Sequence, residues 1–298
     1  MLDQIDAALS LVDRFQRWRE RQKTPVEESV QARFVRLFAA HGVHRNQIPR
    51  FFGHGIELAD VRDDATLAGR LTAEHLSKAS ELFCVRLGWL ESGLDPAQER
   101  LNFYKQPQRF WDWLSDVSTR VQQKHTVLRG LLLLPRGVSS DMEAVLLIAE
   151  PIAVFNDEWI ERIHWVPAGP PDYWRCRGYL ASYVAAADQC NVVLRALRIP
   201  NAVLEKKVME VDLVGSTALD DLHSGCDRVD ALKWLEDPKA FLSGVDPEQN
   251  NFGVQSALRL WLELEALGLM RGAAPRPSLR PLFEAAQSRF NSKRGLFM

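Results

Sequence analysis

The chain has little that would staple it, anchor it or coat it with charge of one sign. Its four cysteines, Cys84, Cys176, Cys190 and Cys226, are scattered with no C-x-x-C pair, which fits neither a zinc site nor a disulfide framework and suits a reducing cytoplasm. Long apolar runs are missing. The most apolar stretches, LRGLLLLP (128–135) and AVLLIAEPIAVF (144–155), fall well short of the roughly 20 residues of a membrane span. The N-terminus carries Asp3 and Asp6 where an export signal needs Lys or Arg, so a cytoplasmic protein without a membrane partner is expected. Surplus charge is absent too: 37 Lys+Arg against 39 Asp+Glu argue against a protein that coats nucleic acid by bulk positive charge, though not against a local basic face. With 17 Gly and 15 Pro in 298 residues, collagen-like chains and long disordered tails are also excluded.

Catalytic signatures are equally scarce. No phosphate-binding loop, G-x-S-x-G, H-E-x-x-H, kinase or dinucleotide pattern occurs. His41, His44 and His54 are close in sequence but have no Glu or Cys at ligand spacing, so they read as turn or surface residues. Asp63-Asp64 and Asp220-Asp221 are adjacent pairs that cannot face one another on a helix, and they read as caps and solvated loops. The stretch from Asp212 to Thr217 (DLVGST) lacks the Lys and second Gly of a phosphate cradle. The expectation is therefore no metal, no cofactor and no enzyme activity.

What is present is a change of hydrophobic period along the chain. A helix with Ile5, Leu9, Val12, Phe15 and Trp18 on one face spans Asp3 to Arg21, and short helical patterns follow from Val26 to Gly93. SGLDPAQERLNFYKQ (92–106) is the best linker candidate, dividing a helical unit, 1–97, from a second unit, 98–298. That second unit opens with a helix from Pro107 towards Gln123. Three β-rich runs, 126–135, 144–155 and 159–167, separated by turn residues including Asn156-Asp157, then predict an antiparallel meander. A helix over Tyr173–Gln189, a strand at Asn191–Leu197, a helix opened by Pro200 and an amphipathic helix over Val254–Leu269 follow. The expected fold class is α+β: a helical N-terminal domain, then an α+β domain with a small antiparallel sheet.

RFVRLFAAHGVHRNQIPRFFG (33–53) and LTAEHLSKASELFCVRLGWLESG (71–93) carry a resemblance. Gly42 ends one helix, Gln47 and Ile48 sit in the next, and Ser80 to Val85 with Trp89-Leu90 and Gly93 form a closing apolar helix. This pattern resembles the λ-repressor-like (XRE-type) helix-turn-helix domain, over about 60 residues. The resemblance implies double-stranded DNA as partner and a homodimeric transcriptional regulator. Arg45, Asn46, Gln47 and Arg50, with Arg62, are the side chains it offers to phosphates and base edges. From Arg14 to Arg50 there are nine Lys/Arg against three Glu, but 55–70, where a recognition helix belongs, has four carboxylates against Arg62 and Arg70. Pro49 fits a helix only in its first turn. The alternative is a regulatory protein whose helical module docks another protein instead of DNA.

The nine tryptophans are numerous, and Trp165 and Trp174 flank a turn, AGPPD (168–172), followed by Arg175, Arg177 and Tyr179. Such a group fills a core or a dimer interface, or it rims a pocket for a flat or anionic effector, with Trp165, Trp174, Arg175 and Tyr179 as the ligand-binding set. The apolar helix over 254–269 serves equally as a dimerisation element or as core.

Overall fold

The structure, a computed structural model, describes residues 28–137, 142–209, 213–217, 226–247, 253–273 and 277–294. The helix expected over Asp3–Arg21, five of the basic residues of the 14–50 segment (Arg14 to Lys23), Asp212 and the Asp220-Asp221 pair lie outside the described residues.

The first helices form one small apolar core. Helix α1 (Val30–Ala39) is capped by the Ser29 hydroxyl, and Phe34, Leu37 and Phe38 recur at helical spacing on its inner face. A 3-10 turn (Arg45–Gln47) leads into the short α2 (Ile48–Phe52), then come α3 (Asp64–Arg70), α4 (Ala73–Phe83) and α5 (Leu87–Ser92). Phe34, Phe38, Phe52, Phe83 and Trp89 are packed at the centre, with Phe38 edge-on to Phe83 at 5.1 Å between rings. The buried Arg33 ties the ends together: Nε donates to the Leu90 carbonyl at 3.1 Å and Nη2 to that of Glu91 at 2.8 Å. These are late carbonyls of α5, where a cation also meets the negative end of the helix dipole.

Residues 93–106 hold no helix or strand. They run along the sheet, and the Leu101 amide donates to the Trp165 carbonyl at 2.8 Å. Helix α6 (Pro107–Gln122) then turns Phe110, Leu114, Val117 and Val121 inward. Strands β1 (Arg129–Pro135), β2 (Ala144–Phe155) and β3 (Glu158–Gly169) form the expected meander, and Asn156-Asp157, both at positive φ, make the two-residue β2–β3 turn. Helix α7 (Trp174–Gln189) carries the chain over to β4 (Val193–Ile199), which lies parallel to β1, and β5 (Asp227–Val229) pairs antiparallel outside it. The sheet order is β3-β2-β1-β4-β5. It is therefore a mixed sheet of five strands, not a small antiparallel one. The crossover through α7 is what makes β4 parallel, because a hairpin cannot join parallel neighbours. The overall class is α+β.

Both faces of the sheet are covered, which is why β1 and β2 read as unbroken apolar runs. One face, with Leu132, Leu134, Leu146, Ile148 and Val166, packs on α6, α7 and α11 (Gly253–Ala266). The other, with Leu131, Leu133, Val145, Leu147 and Trp165, meets α8 (Asn201–Leu204), the π-helical turn after it and Val214. Two short helices, α9 (Lys233–Glu236) and α10 (Pro238–Leu242), and the C-terminal α12 (Arg280–Arg294) complete the first face. Trp261 of α11 stacks flat on Phe283 at 3.5 Å, so this apolar helix is core.

Replacing Arg33 with Met keeps the apolar stem and strands the α5 carbonyls it serves. The expected loss is about 2–3 kcal/mol of unfolding free energy by urea denaturation, against less than about 0.5 kcal/mol for an ordinary surface substitution.

Candidate functional site

The face expected to meet DNA is built from the chain between α1 and α3. Gly42, at φ 83°, reverses the chain, and the Gln47 side chain accepts from the His44 amide at 2.9 Å to fix the next turn. Pro49 falls in the first turn of α2, where no intrahelical N–H bond is required of it. Arg45 folds back: Nε donates to the Val61 carbonyl and Nη1 pairs with Asp64, both at 2.6 Å. Arg50 lies over the Phe155 ring at 4.3 Å and donates to the Asn156 side chain, bracing α2 against the β2–β3 turn. Arg62 is 76% exposed and pairs with Asp63 at 3.0 Å, and Asn46 is exposed. Of the five residues expected at DNA, Arg45, Gln47, Arg50 and Arg62 thus carry contacts within the fold, while Asn46, Arg50 and Arg62 are exposed. Eleven irregular residues, 53–63, separate α2 from α3, and Asp63 is the N-cap of α3, its carboxyl held at about 2 chiefly by the Thr66 amide.

The expected effector set is divided. Trp165 lies on one face of the sheet, 3% exposed, with Arg100 over its ring at 5.5 Å. Trp174 and Tyr179 pack on the other face, where Arg175 covers Trp174 at 4.8 Å and Tyr179 meets Tyr104 edge-on at 5.9 Å. Successive strand residues point to opposite faces, so Trp165 cannot share a pocket with the α7 group. Arg177 is buried and donates to the carbonyls of Pro171, Phe241 and Ser243. Burial lowers it to about 10.

The weaker sequence candidates resolve into packing. His41 is buried against Phe83 with a ring-to-ring distance of 4.3 Å, and burial lowers it to about 4, whereas His44 is exposed. The end of the DLVGST loop packs on α1, where the Thr217 hydroxyl donates to the Ala40 carbonyl at 3.0 Å. Among the described residues, no three His, Cys, Asp or Glu side chains gather where a metal ion could sit, and no helix is long and apolar enough to cross a membrane.

Two further features are absent from the sequence-based expectations. A cleft of about 510 Å³ opens between the helical module and the β2–β3 turn, lined by Arg50, Phe51, His54, Lys78, Glu81 and Phe155. The second is polar and lies within the sheet. Glu150 of β2 is 2% exposed; Arg162 of β3 grips it through Nε and Nη2 at 2.9 Å each, and His164 Nε2 lies 2.6 Å from it. Arg120 of α6 comes within 3.6 Å, and Trp113 stands edge-on to His164 at 5.3 Å. Cys84, the C-cap of α4, lies near Arg162 and His164 and favours their charged forms. Burial alone would raise Glu150, yet the hydrogen bonds from His164 and Arg162 outweigh it and hold the carboxyl at about 2. For His164 burial pulls downward, and its neighbours Cys84 and Glu150 raise it above the usual histidine value. The signal in the sequence was Glu150, the one charged residue inside AVLLIAEPIAVF.

No protein-family model matches the chain, and no curated protein sequence or solved structure is significantly similar to it.

Glu150→Gln leaves the buried His164 and the half-buried Arg162 facing a neutral amide, so the expected cost near pH 6 is about 3 kcal/mol. The pH dependence has two limbs. Glu150, lowered in the fold, stabilises fully above its unfolded value and loses that contribution as pH falls towards about 2. His164, raised in the fold, stabilises fully below its unfolded value and loses that contribution as pH rises through the folded one. The stability difference between wild type and Glu150→Gln, followed by denaturation from pH 3 to 9, should therefore peak between about 4.5 and 6.5.

Proposed function

We propose that the chain is a non-enzymatic regulatory protein whose helical module docks another protein, with the α+β unit as its sensor domain. The observation that carries this reading is the charge of the face that would have to meet DNA. Arg45 pairs with Asp64, Arg62 with Asp63, and Arg70 with Asp60 at 3.3 Å. Exposed pairs of this kind are weak, about 0–1 kcal/mol each, and phosphates could compete for the arginines. The carboxylates would remain in place, facing the phosphate backbone with nothing to neutralise them. The cleft beside this face has the opposite balance, mixing Phe51 and Phe155 with Lys78 and Glu81. At the nearby turn, Val154 is 57% and Trp159 41% exposed. Exposed aromatic and aliphatic side chains rimmed by charge suit a protein partner better than a polyanion.

A second reading, a DNA-binding transcriptional regulator related in form to the λ-repressor-like domain, is favoured by the solvent-facing Asn46 and Arg62. It draws further support from the basic run Arg14 to Lys23. An electrophoretic mobility shift with bulk genomic duplex at low salt separates the two. No retardation is expected at micromolar protein; retardation that falls steeply with added salt would replace docking with DNA binding. A photo-crosslinking residue at position 154 should trap one discrete protein in the native cell, and Trp159→Asp should abolish the product. Trapping that survives Trp159→Asp would move the docking surface elsewhere.

A further inference from the structure

We propose, resting on the docking reading, that the cleft between the helical module and the β2–β3 turn takes a segment of the partner in which an Asp or Glu side chain stands beside a bulky apolar one. Arg50 is the residue that receives the carboxylate. Five other cations of the module are matched by carboxylates within the fold: Arg36 by Glu28, Arg45 by Asp64, Arg62 by Asp63, Arg70 by Asp60 and Lys78 by Glu81. Arg50 is not. It is exposed, lies 4.3 Å over the Phe155 ring and donates to the neutral side-chain amide of Asn156, and among the described residues no carboxylate pairs with it. An arginine held over an aromatic ring is pre-oriented, and its planar fork matches a carboxylate through two parallel N–H···O bonds.

The remaining lining sets what accompanies that charge. Phe51, Leu82 and Val154 stand beside Arg50, and the volume of about 510 Å³ falls within the roughly 300–1,000 Å³ of pockets that enclose small ligands, which is room for a few adjacent side chains. Phe51 and Leu82 are partly buried and Val154 is 57% exposed, so apolar surface at the mouth is left for a partner to cover. Lys78 is already paired with Glu81 at 3.4 Å, and the Ser77 hydroxyl donates to the same carboxylate, so the lining offers the single guanidinium of Arg50 to an incoming anion. One cation matches the one negative charge of a carboxylate, whereas a phosphate group is held by several converging donors. The balance therefore favours an acidic–apolar peptide segment over a phosphopeptide.

The probe is a phage-displayed library of random heptapeptides selected on the full chain. Enriched sequences should place Asp or Glu close to Leu, Ile, Phe or Trp. One enriched peptide is then synthesised in its acidic form and with the matching amide, and both are measured by fluorescence anisotropy. The acidic form should bind the wild type about ten-fold more tightly than the amide form, a preference that vanishes in Arg50→Gln and survives in part in Arg50→Lys. Glu81→Gln removes a like charge from the exposed rim and should tighten the acidic peptide about two- to five-fold, with the amide form unchanged. Folding of each variant is checked by circular dichroism, and because Glu81 is exposed its arm stands even where the Arg50 variants lose structure. Enriched sequences without a carboxylate, no enrichment at all, tighter binding of a phosphoserine form, or an acid-over-amide preference unchanged in folded Arg50→Gln overturns the proposal. The photo-crosslink at position 154 separates this from the docking reading. A product that forms equally well with Arg50→Gln keeps docking and removes the carboxylate, whereas no product from the chain with Arg50 intact removes docking itself.

Discussion

A carboxylate buried in the middle of a sheet is tolerated only where cations and N–H donors enclose it, and Glu150 imposes that condition on its surroundings. The β2–β3 register sets Arg162 directly across from it and His164 two residues further along the same face. Helix α6 must then present Arg120 and Trp113 where an apolar helix would otherwise continue. Arg162 and His164 both turn towards Glu150. One buried charge thereby links β2, β3 and α6. A one-residue slip of β3 would move both cations to the opposite face and leave Glu150 bare.

The secondary structure of the second unit was legible because its periods are strong. β2 has the expected bounds, and α6, α7 and α11 each begin within a residue or so of their expected starts, because Pro107 and the AGPPD turn punctuate the chain. The parallel pairing of β4 was not legible, since strand patterns specify a face and not a neighbour. The sites were harder still. Arginine in a basic turn has the same one-letter signature whether it faces phosphate or, like Arg45, reaches 16 residues onward to the Val61 carbonyl. Trp165 and Trp174 are close in sequence yet on opposite faces of a sheet, which needs the strand register to recognise. The cluster of Glu150, Arg162, His164 and Arg120 draws on three separate elements, so no spacing rule could have assembled it.

The seam between the helical module and the sheet is held by directional contacts as well as apolar ones. Phe155, Ile160 and Leu213 are the buried side chains from outside the module that join its apolar core. Alongside them, Gln98 donates to the Val214 carbonyl at 2.8 Å, the Leu101 amide to Trp165, the Thr217 hydroxyl to Ala40, and Arg50 reaches Asn156. Apolar contact weakens gradually with displacement, but hydrogen bonds fail over fractions of an ångström and at particular angles. A seam built this way has a narrow set of favoured geometries, and a chemical change at one of its bonds has more leverage than the same change within a core.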